Sequence, residues 1–149
     1  MYKKKSTQSA TATVKKFIGK SERRLEAITK QSVQDLIEQV QLPTGKGGRM
    51  RIDTGFLRAS GQASLNGMPT GPSRPVSSEP TFYNDGSGEV PDTVVLTIAR
   101  FKMGGRIWFG WTANYAKHRE AHDAFLRLGV QNWQSIVDKN VQLMKQRIG

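Results

Sequence analysis

Apolar and polar positions follow three distinct rhythms along this chain, and each rhythm predicts an element. From Val14 onward, Ile18, Leu25, Ile28 and Leu36 share one narrow sector at 100° per residue, with the small Ser21 and Ser32 in the gaps. That spacing predicts an amphipathic helix over Val14 to Val40, with Lys16, Lys20, Arg23, Lys30, Gln34 and Glu38 opposite the apolar side and Val33 and Ile37 widening it near the end. Such a helix spans roughly 40 Å. This is long for so small a domain, so one end is expected to project or to meet another subunit. In the middle of the chain Val94, Leu96 and Ile98 alternate with Val95, Thr97 and Ala99. Beyond Gly104 and Gly105, Ile107, Phe109 and Trp111 alternate with Arg106, Trp108 and Gly110. A period of two on both sides of a Gly-Gly turn predicts a β-hairpin. Near the end, Leu126, Val130, Trp133, Val137, Val141, Met144 and Ile148 keep to one side of a second helix, with Gln134, Asp138, Gln142 and Lys145 opposite. Gly129 is its weak point, costing roughly 1 kcal/mol against Ala.

A lone hairpin is marginal in water, so the two helices are expected to cover its apolar side. The fold class is therefore α+β, with long N-terminal and C-terminal helices on a small antiparallel sheet. Its expected core holds Ile18, Leu25, Ile28, Leu36, Leu96, Ile98, Phe109, Trp133 and Val137. A weaker strand pattern runs through Leu57, Ala59, Gly61, Ala63 and Leu65. With 149 residues the chain suits one domain, over 14–149. Met1 to Thr13 is rich in Lys, Ser and Thr and is expected to be a flexible basic arm. Asn66 to Gly88 holds four prolines and reads as a long loop or an inter-subunit arm. Pro43 and the cluster Gly45, Lys46, Gly47 and Gly48 end the first helix in a flexible loop; a phosphate-binding loop there would need a preceding strand and a Ser or Thr after the lysine.

Composition narrows the chemistry. There is no cysteine, which excludes disulfides, thiol catalysis and cysteine-bound zinc. No apolar run approaches a membrane span, and no hydrophobic signal region follows the first lysines, so a soluble, unprocessed intracellular product is expected. The net charge of +11 attracts polyanions and acidic protein surfaces alike, and a well-solvated basic surface accounts for it equally. His118 and His122 stand four apart, near Glu120 and Asp123, but Arg119 occupies the place where a zinc-protease helix carries Glu, and no third histidine exists. Ser60 lacks the glycine two positions before it that a nucleophile elbow needs. Carboxylates are few and scattered. No catalytic group, metal or cofactor is expected. For nucleic acid, Lys16, Lys20, Arg23 and Lys30 offer phosphate contacts, though Glu22 and Glu26 interrupt them.

Ile52-Asp53-Thr54-Gly55-Phe56-Leu57-Arg58-Ala59-Ser60 resembles the "hydrophobic, Asp, Thr, Gly, any, Leu, Arg, any, Ser" signature of a family of small tail-completion proteins from tailed bacteriophages, found at the head-to-tail joint or neck. Later positions are similar in order: Gly110 after a β segment, the pair Tyr115 and Ala116, then Glu120, then Phe125 and Leu126 opening a C-terminal helix. Where that family commonly places Gly soon after the Glu, this chain has Ala121, His122 and Asp123. The resemblance implies a structural virion protein that forms a ring of copies around the DNA channel. It also implies assembly in the host cytoplasm, with other neck, connector and tail-tube proteins as partners, DNA nearby and no membrane. Lys3, Lys4, Lys5, Lys16, Lys20 and Arg23 are then the candidate docking or phosphate contacts, and the two low-complexity arms order on neighbours.

Overall fold

The computed structural model describes residues 8–51, 56–70, 92–113 and 115–148. It is mostly helical, with one small antiparallel sheet, in keeping with the α+β expectation. The first helix, α1, runs Gln8–Val40. It starts six residues before Val14, so the part of the expected arm from Gln8 to Thr13 is helical, and residues 1–7 lie outside the described chain. Gln8 to Thr13 carries no large apolar residue and hence no periodic signal, but once a helix is nucleated each added residue gains a hydrogen bond. A short turn of 3-10 helix, Thr44–Lys46, lies in the loop that follows. This loop is closed by bonds rather than flexible: Met50 N–H donates to Leu42 O (3.2 Å), Thr44 N–H to Met50 O (3.1 Å) and Gly48 N–H to Pro43 O (2.9 Å).

A single helical turn, α2 (Phe56–Ala59), leads into β1 (Gly61–Ser64), part of the weaker strand pattern. The expected hairpin partner, Val94 to Ala99, is instead helix α3, Asp92–Ala99. Val94 and Ile98 are fully buried, a spacing of four that fits a helix as well as a strand, whereas Leu96 between them is 63% exposed. Burial along one helical side has overridden the β preference of a β-branched run. The turn at Gly104 is real, with φ +87° at Gly104 and Gly105 N–H bonded to Lys102 O, but it joins α3 to β2 (Trp108–Trp111). Strand β2 pairs antiparallel with β1 in the register Gly61 with Trp111, Ala63 with Phe109. Gly61 is required there, because a Cβ would stand 2.9 Å from the Phe109 ring.

Helices α4 (Ala116–Asp123), α5 (Phe125–Val130) and α6 (Trp133–Ile148) complete the chain. The single C-terminal helix expected from Leu126 is thus broken at Gln131 and Asn132, and α6 opens with the Asn132 backbone carbonyl accepting from Ile136 N–H. Two buried clusters form the core. One joins Met50, Leu57, Ala113 and Phe125, with Trp111 and Ala116 against it; the other joins Ile37, Val94 and Ile98 with Val33, Ala63, Ile107 and Phe109. Trp111 bridges Phe109 and Phe125 through two edge-on ring contacts at 5.0 Å. Of the expected core residues, Ile98 is fully buried, while Ile28, Leu36, Phe109, Trp133 and Val137 are half-buried. Ile18 and Leu25 are about half exposed, and with Leu96 they do not belong to the core. The apolar stripe of α1 is sound as a pattern, but its first half lies beyond what the rest of the described chain covers.

Candidate assembly surface

Several residues of the phage-like signature hold the fold together. Ser60 is buried, its hydroxyl donates to Leu57 O (2.7 Å) and accepts from Ala113 N–H (3.2 Å), and its carbonyl accepts from Thr112 N–H (3.1 Å). It staples the turn before β1 to the chain after β2. Leu57, Ala116 and Phe125, far apart in sequence, meet in one cluster. A Cβ on Gly110 would only touch the exposed Met68 side chain, and Tyr115 precedes α4 in an exposed turn. Asp53, Thr54 and Gly55 lie outside the described residues; Arg58 is half-buried in α2.

Glu120, within the last turn and a half of α4, ties the next helix to it. The backbone N–H groups of Leu126 and Arg127 donate to its two carboxylate oxygens at 2.8 and 3.0 Å, which satisfies donors that the start of α5 would otherwise leave open. Between the helices Ala124 adopts φ +51°, the left-handed conformation at which a glycine is usual. Asp123 accepts two bonds from the Arg119 guanidinium (2.6 and 3.0 Å). Both carboxylates near His118 and His122 are therefore occupied, and the two imidazoles are exposed. Among the described residues no group of three or more His, Asp or Glu residues is placed to hold a metal. Nor is any helix among them long and apolar enough to cross a membrane.

The polar seam between α1 and α6 escaped the sequence reading. Asn140 is buried, and its Nδ2 donates to Ser32 Oγ (3.1 Å) and Asp35 Oδ2 (2.9 Å), while Lys139 Nζ lies 3.2 Å from the same carboxylate. Burial pushes the Asp35 carboxyl up, but bonds from Asn140, Gln31 and Lys139 outweigh it and hold the group below the usual carboxylate range. Helical spacing does put Asn140 beside Trp133 and Met144 on the apolar side of its helix, and Ser32 in the stripe of α1, but it does not say that they meet. Further along the seam a cleft of about 350 Å³ sets Leu143, Met144 and Arg147 against Ala27 and Ile28. The two helices thus run antiparallel, and the last turn of α6 lies level with Ala27.

From Ala10 to Arg23 every residue of α1 is exposed except Gly19 and Ser21, which are half-covered. Val14, Phe17 and Ile18 are 56%, 67% and 50% exposed. Of the expected docking residues, Lys16, Lys20 and Arg23 are exposed on this stretch, whereas Lys3, Lys4 and Lys5 fall outside the described chain. A second apolar surface is an open groove of about 440 Å³ between α1, α5 and the chain before β2, lined by Val33, Leu36, Phe109, Leu126, Val130 and Trp133. Trp133, expected in the core, forms part of that wall. No family model matches the chain, and no curated protein or solved structure matches it either.

Proposed function

We propose that this chain is a structural, non-catalytic subunit of a tailed-bacteriophage neck, which completes the tail and joins it to the head around the DNA channel. The observation that carries this reading is the division of labour among its residues. Ser60 and Glu120, two groups with reactive side chains in the signature, are engaged in holding the fold, while large apolar side chains stand exposed on the outer half of α1. A contiguous apolar surface left open by a monomer is the usual mark of an assembly site. The sequence resemblance narrows the assembly to the neck, with copies of the chain in a ring and connector and tail-tube proteins as neighbours.

The test is a map of the intact virion in which the subunit carries a small tag. Tag density in a ring between portal and tail tube is expected; its absence from the particle would remove the reading. A second reading, nucleic-acid binding, is favoured by the exposed Lys15, Lys16, Lys20 and Arg23 along α1. It requires duplex affinity that falls steeply with salt, in proportion to the phosphates neutralised. Salt-titrated binding that stays weak throughout would exclude it.

A further inference from the structure

The outer half of α1 combines two properties that together define the surface it meets. Its apolar residues Val14, Phe17, Ile18 and Leu25 lie within about 100° of arc at the standard helical turn, all at least 49% exposed. Around them stand Lys15 on one side, with Glu22 nearer the stripe on that same side, and Lys20 and Arg24 on the other, with Lys16 and Arg23 at the back; Glu22 is the sole acid between Ala10 and Arg24, so the rims are basic on balance. The apolar stripe asks for a dehydrated contact, and its rims ask for negative charge.

Position along the helix selects among anionic partners. Eighteen residues make about five full turns, so Val14 lies on the same line as Ser32, and Ser32 is gripped by Asn140 of α6. The exposed stripe is therefore the direct continuation of the side on which α6 already packs, and α6 reaches as far as Ala27. A flat bilayer brought against Val14 and Phe17 meets the body of α6 first. A nucleic-acid backbone satisfies the lysines but offers nothing dry to the stripe. A helix laid in line with α6 satisfies both. A second copy of this stretch would bring like charge against like, which is repulsive.

We infer that the outer half of α1 docks an acidic amphipathic helix of another protein, laid along the Val14–Leu25 stripe in continuation of the α1–α6 seam. This deepens the assembly reading and rests on it for the partner's place in the particle, but the chemistry can be tested alone. The probe is a synthetic helix of about twenty residues with Leu at helical spacing and Glu on its flanks, titrated against the labelled full chain. Its counterpart with Lys for Glu, phosphatidylglycerol vesicles and a short DNA duplex are titrated in parallel. Binding to the acidic helix is expected above all others. The double substitution Phe17→Ala/Ile18→Ala should weaken it about thirtyfold, the scale of an aromatic anchor in an interface. Lys15→Glu/Lys20→Glu should weaken it about tenfold at low salt. Both variants should melt with the parent, since all four side chains are exposed.

Failure of the acidic helix to bind, indifference to either variant, or stronger binding to the basic helix, vesicles or duplex would overturn the inference. The virion map is independent of all of these. A subunit seen in the neck that ignores the acidic helix sinks the docking inference alone, and one that binds the helix but is missing from the particle sinks the neck reading alone.

Discussion

Gly129 offers a substitution on which local and tertiary effects have opposite signs. In an isolated helix, Gly129→Ala gains roughly 1 kcal/mol of propensity. In the folded protein a Cβ at that position stands 2.2 Å from Val40 Cγ1, 3.3 Å from its Cβ and 3.6 Å from its Cα. Val40 is 2% exposed, so either its side chain must turn towards the apolar groove that it helps to line, or α1 and α5 must part. Overpacking of this kind costs roughly 2–3 kcal/mol, so the net loss is about 1–2 kcal/mol after the propensity gain. For a chain of this size that lowers the melting temperature by roughly 2–8 °C. The assay is urea and thermal unfolding of four proteins: the parent, Gly129→Ala, Val40→Ala and the double variant. Because Val40→Ala removes the atom in closest conflict, the double variant should be about 1–2 kcal/mol more stable than the sum of the single effects predicts. A more stable Gly129→Ala, or strict additivity, would show that the helices do not approach each other as described.

Gly48→Ala should be more damaging, by about 3 kcal/mol, because its Cβ would collide with the Leu42 carbonyl, which as backbone cannot swing aside; a melting curve like the parent's would refute the closed loop. Ala124→Gly should gain about 0.5–1 kcal/mol by relieving the left-handed backbone at the α4–α5 junction, and a loss on urea unfolding would count against that geometry. Asp35→Asn should cost about 1–3 kcal/mol at neutral pH through the bonds it weakens to Asn140 and Lys139. Because the folded Asp35 carboxyl is depressed, its contribution is complete above the unfolded value near 3.8 and is lost as pH falls through the folded one. The difference between parent and Asp35→Asn should therefore shrink below about pH 4, and a gap that widens there would contradict the seam.

What the sequence made legible is what repeats. The long helices α1 and α6 announce themselves by many turns of consistent spacing, and both are present. Val94 to Ala99 is too short for that, since its buried pair at i and i+4 satisfies both periods and only the exposure of Leu96 separates them. The pairing of Gly61 with Trp111 joins strands with a helix and a long stretch of chain between them, so no local turn signal marks it. The same holds for the signature residues. Leu57, Ala116 and Phe125 meet only through the tertiary fold, and Glu120 reveals its purpose only when α5 presents its first N–H groups. Asn140 and Asp35 carry a partial signal, since helical spacing puts the first beside Trp133 and the second in line with Phe17, but their bond to each other exists only in the tertiary fold.

Helix α1 is one unbroken rod of 33 residues, with its inner half embedded in the fold and its outer half reaching past α6. Mechanically that makes it a lever whose fulcrum is where Glu26 accepts from Met103 N–H and the end of α6 reaches Ala27. A sideways pull at Phe17 arrives there as torque, because the helix between them is continuous. A load on the outer tip is therefore borne first where α1 enters the fold, then by Ser32 in the grip of Asn140, and only beyond that by the buried Ile37 and Val40.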